Sequence, residues 1–306
     1  MLGLKTVLFA TDFSALADAA LDRALEVAER HGAALHMLHA VVLHAEDPND
    51  PAHHFPDAEE IRLRLEAIAA DRMTAQLEAR QELEIEVVRA QRRGVAPGPV
   101  ILEYAAGIDA DLIVMGTHGR RGLSHAILGS VTEEVVRLAD CPVLTVSGTV
   151  DPGSSLGLGA VLVPVDFSAH SKRAVRYAAE ICRSYGAVMH LVHVFEAPIH
   201  PEVYLGGGPS YPTFQQVEEG LRPALSEFAA RAGAPADTSV HLREGRAVSG
   251  IVEAADELGA DLIVIATHGL TGLKHVLLGS VAERVVRRAR CPVLTVKAFG
   301  KSIVDE

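Results

Sequence analysis

Two stretches of this 306-residue chain place glycines where a main chain can close around an anion. GTHGRRGLSHAILGS, residues 116–130, carries Gly116, Gly119, Gly122 and Gly129 ahead of Ser130. ATHGLTGLKHVLLGS, residues 266–280, repeats Gly269, Gly279 and Ser280, with Ala266 where Gly116 stands. Glycine at such places relieves backbone strain or lets a ligand approach the main chain. Gly129-Ser130 opens a helix-like run whose unpaired N–H groups and positive dipole end suit phosphate. Gly116 and Gly119 would let further amides close over the same anion. A plain structural alternative stands beside this: Ser130-Val131-Thr132-Glu133 and Ser280-Val281-Ala282-Glu283 both spell S-x-x-E, the pattern of a helix capping box.

The elements that must position these loops come from a chain written twice. DLIVMGTHGRRGLSHAILGSVTEEVVRLADCPVLTV, from Asp111, returns from Asp261 with about two-thirds of its positions identical, and such repetition fixes the architecture first. The likeness reaches back to TVLFATDFS (6–14) against AVLVPVDFS (160–168) and to ALHMLHA (34–40) against VMHLVHV (188–194). Each half is therefore a whole domain, residues 1–148 and 159–298. The Gly-, Ser- and Pro-rich DPGSSLGLG marks a linker at 149–158, and 299–306 is left as a C-terminal tail.

In the first half, apolar runs at about 6–11, 34–42, 83–89, 111–116 and 143–147 alternate with helix-like segments at about 14–31, 57–80, 97–106 and 129–139. The second half repeats the order, with runs near 160–165, 188–195, 238–243, 261–266 and 293–297. Alternation of this kind predicts an α/β fold, two tandem doubly wound domains, each a five-stranded parallel sheet flanked by helices. Four strands are almost continuously apolar, as when both faces are covered, whereas ELEIEVV (82–88) alternates and suggests a more exposed edge. In such sheets ligands lie beyond the carboxyl ends of the strands, where strand order reverses. That rule brings Asp12 to the loop starting at Gly116, and Asp166 to the loop starting at Ala266.

Gly116, Gly119, Gly129 and Ser130 match the pattern G-x-x-G, nine residues, then G-[S/T], and in this the chain resembles the nucleotide-binding universal stress proteins. The resemblance covers nearly the whole chain as two tandem copies. It implies a Rossmann-like, adenine nucleotide α-hydrolase-like fold and a site for ATP or a related adenine nucleotide. The aspartate after the first strand would contact the nucleotide, second-strand main chain would meet adenine, and the glycines and serine would hold ribose and phosphates. On this chain those positions are Asp12, Ala40, Gly116, Gly119, Gly129 and Ser130, then Asp166, Val194, Gly269, Gly279 and Ser280. Ala266 departs from the pattern, its methyl either crowding a nucleotide or being tolerated, and the first site is ranked ahead for that reason. Ala10 stands where the second copy has Pro164. Arg120, Arg121 and Lys274 are the nearest countercharges, and Mg²⁺ bridging the phosphates is compatible with Asp12 as an indirect ligand. Likeness to dimeric single-copy members further implies an internal pseudo-dimer through the final strands, with additional homodimerisation left open.

The functional expectation is a regulatory or stress-response module governed by nucleotide occupancy, with room for an unidentified protein partner. Slow ATP hydrolysis is compatible with the family, but no Walker lysine and no base beside a nucleophile point to efficient catalysis. The alternatives are a nucleotide-free chaperone-like or signalling protein, and an adenine-nucleotide hydrolase or nucleotidyl-transfer enzyme. A formal net charge of -12 argues against nucleic acid and anionic membrane as partners. No apolar run approaches the roughly 20 residues of a membrane-spanning helix. The N-terminal MLGLKTVLFATD reads as a buried strand instead of a signal peptide, giving a cytoplasmic expectation.

Cys141, Cys182 and Cys291 lack metal-ligand spacing and read as buried small hydrophobes, with no redox role assigned. HAEDPNDPAHH (44–54), with His53 and His54, reads as a solvated loop more readily than a metal site. His118 and His268 read as structural loop histidines. YLGGGPSYP (204–212) is not a Walker A motif.

Overall fold

A computed structural model describes residues 2–42, 58–80, 84–117, 128–147, 157–196, 214–267, 279–297 and 300–304. The chain divides into two compact units, Leu2–Leu156 with Phe299–Asp305, and Gly157–Ala298. In the first, β1 (Thr6–Ala10), α1 (Ala15–His31), β2 (Ala34–Val42), α2 (Ala58–Glu78), β3 (Val87–Gly94), α3 (Pro97–Gly107), β4 (Leu112–Gly116), α4 (Ser130–Leu138) and β5 (Val143–Val146) follow in order. Its sheet runs β3-β2-β1-β4-β5, with every pairing parallel. The second unit repeats this with β6 (Ala160–Pro164), α5 (Ala169–Tyr185), β7 (Val188–Phe195), α6 (Phe214–Ala232), β8 (Ser239–Glu244), α7 (Ala247–Glu257), β9 (Leu262–Ala266), α8 (Ser280–Arg288) and β10 (Val293–Val296). There the order is β8-β7-β6-β9-β10, again parallel. These are the tandem doubly wound α/β domains expected from the alternation of apolar runs.

Covered strands are almost continuously apolar because neither face meets water: Val7, Leu8, Phe9, Ile113 and Val114 are fully buried. One face receives α1, whose small residues Ala20, Ala24 and Ala28 let the helix sit close on the sheet. Ser14 starts that helix by accepting from Ala17 N, and Gly32 ends it at φ +62°. Such a left-handed conformation is one that glycine adopts without a Cβ penalty. The turn that follows α2 meets α1 through Arg80–Asp22 at 2.7 Å, while α3 and α4 pack together.

Asp111 precedes β4 and ties the base of the sheet. Its Oδ2 accepts from Lys5 N at 2.7 Å and Thr6 N at 2.9 Å, and Asp261 repeats the clamp on Gly159 N at 2.8 Å and Ala160 N at 3.0 Å. The described tail, residues 300–304, joins the same end of the first unit. Lys301 Nζ lies 2.7 Å from Asp111 Oδ1 and 2.8 Å from Asp109 Oδ2, Gly3 N donates to Ile303 O at 2.9 Å, and Ile303 and Val304 are buried.

Two sequence expectations are corrected. The third strand, expected at 83–89, lies at 87–94, because its register follows the nine-residue β2 from Leu35↔Val87 to Val42↔Gly94. Its arginines are accommodated by the flanking helices: Arg93 Nε reaches Glu66 at 2.8 Å, Arg89 reaches Thr74 at 2.6 Å, and Arg92 lies 5.0 Å from the Tyr104 ring centroid. The edge position expected for this strand is the one observed within its unit. The S-x-x-E capping boxes are also not formed. Gly129 and Gly279 are the N-caps, without a side-chain cap bond, and Ser130 and Ser280 are the first helical residues.

Candidate functional site

Strand order reverses between β1 and β4 in the first unit and between β6 and β9 in the second, so the crevice rule points to these strand ends. Asp12 and Asp166 follow β1 and β6. Asp12 Oδ1 accepts from Ser14 N at 3.0 Å and Asp166 Oδ1 from Ser168 N at 3.1 Å. These local turns set each carboxylate just before its helix. Next to the aspartates, Phe13 and Phe167 both take positive φ in the left-handed region. That conformation is uncommon for bulky side chains.

Gly116 ends β4, and its carbonyl accepts from Thr132 Oγ1 at 2.9 Å. The far end of each glycine loop is tied back to its strand: Gly129 N donates to Thr117 O at 2.9 Å, and Gly279 N to Thr267 O at 2.7 Å. The threonines making this closure are buried. Because no side chain caps α4 or α8, their first-turn amides keep the anion-binding character of an open helix terminus. Ala40 and Val194 sit late in β2 and β7, in register with Arg92 and Arg243.

In the second unit these positions line one cavity of about 180 Å³. Its walls include Asp166, Val194, Gly279 and Ser280, with Pro164, His193 and Ala266. Pro164 helps to shape it. Val165 N donates to β7 at Val192 O. The alternation of a strand therefore directs residue 164 toward β9, where proline has no N–H to give. The β6–β9 register accordingly covers Val161 and Leu162, whereas β1 pairs with β4 from Val7 through Ala10.

Ala266 contributes to this cavity wall without closing it. At the equivalent Gly116, an added Cβ would lie 3.3 Å from the Leu16 carbonyl carbon, Cβ and carbonyl oxygen. A methyl at this strand end is thus directed at the first turn of α1.

Sequence reasoning missed the aromatic pair in each site. Phe13 and His39 have ring centroids 4.5 Å apart, and Phe167 and His193 4.8 Å. His39 Nδ1 lies 2.9 Å from Thr11 O and His193 Nδ1 2.8 Å from Val165 O. A carbonyl only accepts, so Nδ1 carries a proton in each ring. The signal was present in the sequence: D-F-S and the last His of LHMLH and MHLVH recur at equal places in both halves.

Gly119, Gly269, His118, His268, Arg120, Arg121 and Lys274 lie outside the described residues, as do the segments 44–54 and 204–212. Cys141 and Cys182 are buried, and Cys291 is partly so. Burial pushes the Cys182 thiol up to about 11 and that of Cys291 up to about 12. Both are far from thiolate reactivity at neutral pH. Among the described residues no helix is long and apolar enough to cross a membrane.

Comparison with known proteins gives this geometry a family. The model of the Universal stress protein family matches residues 3–147 and again 158–297. The chain belongs to the universal stress protein family. As a tandem member it is similar to a universal stress protein of Mycobacterium bovis, 29% identical over 241 residues, 78% of this chain and 75% of that one. Universal stress protein A homolog 1 of Coxiella burnetii is 36% identical over 140 residues, 44% of this chain and 94% of its own length. A solved universal stress protein from Archaeoglobus fulgidus, at 23% identity, covers 95% of this chain and 98% of its own with a TM-score of 0.63, which supports the fold.

Proposed function

We propose that this universal stress protein binds ATP or a related adenine nucleotide at the strand-end clefts of its two domains, as a regulatory module responding to occupancy. The observation that carries the reading is the second-unit cavity, where Asp166, Val194, Gly279 and Ser280 meet beside an uncapped helix terminus. The proposed contacts are Asp12, Ala40, Gly116, Gly119, Gly129 and Ser130 in the first domain. In the second they are Asp166, Val194, Gly269, Gly279 and Ser280.

With a volume of about 180 Å³ the cavity holds only part of a nucleotide. Pockets for whole ligands of this kind commonly start at roughly 300 Å³. Gly269, outside the described residues, is the further contact proposed for this site. Mg²⁺ would accompany the phosphates, with carboxylate oxygen as its natural ligand type. Asp12 and Asp166 each accept a turn amide through one carboxylate oxygen.

Mass spectrometry of the small molecules released when the purified protein is denatured tests the reading. An adenine nucleotide retained by the parent, and retained less by Asp12→Ala and Asp166→Ala with folding intact, is the expected result. Equal retention by the double variant would remove both aspartates from the site.

A further inference from the structure

We propose that His190 and His241 form a two-imidazole site for a divalent transition-metal ion in the second domain, separate from the strand-end cleft. The two residues lie on neighbouring parallel strands. Register pairs His190 with Ser239 and Val192 with His241, so the histidines are diagonal neighbours on one face of the sheet. His190 Nδ1 and His241 Nε2 are 3.2 Å apart in a ring-to-ring hydrogen bond, so the proton between them must move to the far nitrogen of its own ring for both nitrogens to face an ion. An ion about 2.0–2.1 Å from each nitrogen, subtended at the tetrahedral angle, spaces two imidazole nitrogens by about 3.3 Å. The pair therefore already holds the spacing of a chelate on two hydrogen-bonded strands, which keeps the ordering cost of binding small.

The surroundings leave room for the other ligands. His241, though not His190, lines a cavity of about 630 Å³ together with Glu244 and Glu253, so water can reach an ion from the His241 side. Two cations, Arg222 and Arg243, also face it, and each is matched by a carboxylate: Arg222 by Glu218 and Arg243 by Glu257. Among the described residues no group of three His, Cys, Asp or Glu forms a closed metal cage. The site is accordingly an open one, with two protein nitrogens and exchangeable water. Imidazole ligands favour Zn²⁺, Ni²⁺ and Cu²⁺, with Cu²⁺ the tightest. The first domain does not repeat the pair: register puts Ala90 where His241 stands, and His36, the equivalent of His190, meets the Tyr104 hydroxyl at 2.9 Å.

The test uses the full chain, freed of metal, and Cu²⁺ as the probe. Electron paramagnetic resonance at one equivalent should show two imidazole nitrogens on the ion. His190→Asn and His241→Gln should each weaken the tightest site by at least about tenfold, since even partners one shell further out cost roughly 10–100-fold. The double variant should lose that site altogether, because no imidazole is left to hold the ion. His53→Asn with His54→Asn, in a separate histidine-rich segment, should leave that site intact, and circular dichroism of the metal-free variants checks folding. Unchanged binding by both single variants, or loss of the tightest site only with His53 and His54 removed, would overturn the proposal. So would a parent spectrum without two coordinated imidazoles, a result that needs no variant to fold.

Discussion

Gly116→Ala is the substitution whose consequence the structure defines most narrowly. The new Cβ would stand 3.3 Å from three Leu16 atoms, two of them backbone, so the first turn of α1 must shift slightly. Overpacking of this kind costs about 1–3 kcal/mol. Against it stands about 0.4–1 kcal/mol gained because alanine restricts the unfolded chain more than glycine. The balance runs from roughly zero to about 2.6 kcal/mol lost from the first domain. The shifted turn adjoins Asp12 and Ser14, so nucleotide affinity at the first site should fall by roughly three- to tenfold, well short of the roughly hundredfold that a full ångström of misplacement can cost. Urea denaturation resolved by domain measures the first effect and calorimetric titration with ATP the second. Leu16→Ala should not rescue the variant, because most of the crowding is against backbone. An undiminished midpoint and affinity, or a rescue by Leu16→Ala, would refute the reasoning.

Three further outcomes follow from the same structure. Asp111 is a buried carboxylate that accepts from two strand amides and pairs with Lys301. Asp111→Ala should destabilise the first domain by about 1–3 kcal/mol in chemical denaturation, because two amides lose their acceptor while Lys301 keeps Asp109. Ser14 and Ser168 are N-caps. Ser14→Ala and Ser168→Ala should each cost about 1 kcal/mol, read as a lowered midpoint of the domain concerned. In metal-free protein the imidazoles of His36, His190 and His241 are held below the ordinary value of 6.5, chiefly by burial; Glu86 partly offsets this at His36, and at His241 His190, Arg243 and Arg222 add to it. As pH falls through that value the unfolded chain takes up these protons first, so stability is level above it and declines below it. A thermal midpoint that stays flat or rises as the pH is lowered from about 6.5 to about 5 would contradict this sign.

The fold was legible because its governing signals are long: a repeat spanning both halves, and apolar runs of strand length between helical segments. β3 was displaced because its sequence pattern is not what sets it. VVRAQRRG carries three arginines, and only pairing along β2 and the helix residues Glu66, Thr74 and Tyr104 make it a strand. The capping boxes misled for a related reason. S-x-x-E specifies a cap only if serine occupies the half-in position, and the tie from Gly129 N to Thr117 O moves that position one residue earlier. Positions such as Asp12 and Gly116 could be placed from strand order alone. The Phe13–His39 and Phe167–His193 pairs could not, because each joins a turn to a neighbouring strand and depends on a positive φ that no composition rule anticipates.

Calorimetric titration of the nucleotide-free protein with ATP and Mg²⁺ tests the central claim most directly. The account predicts saturable heat at submillimolar ATP that is lost when Asp12→Ala and Asp166→Ala are combined. No detectable binding up to millimolar ATP by correctly folded protein would contradict it, and would leave the glycine loops as structural connections.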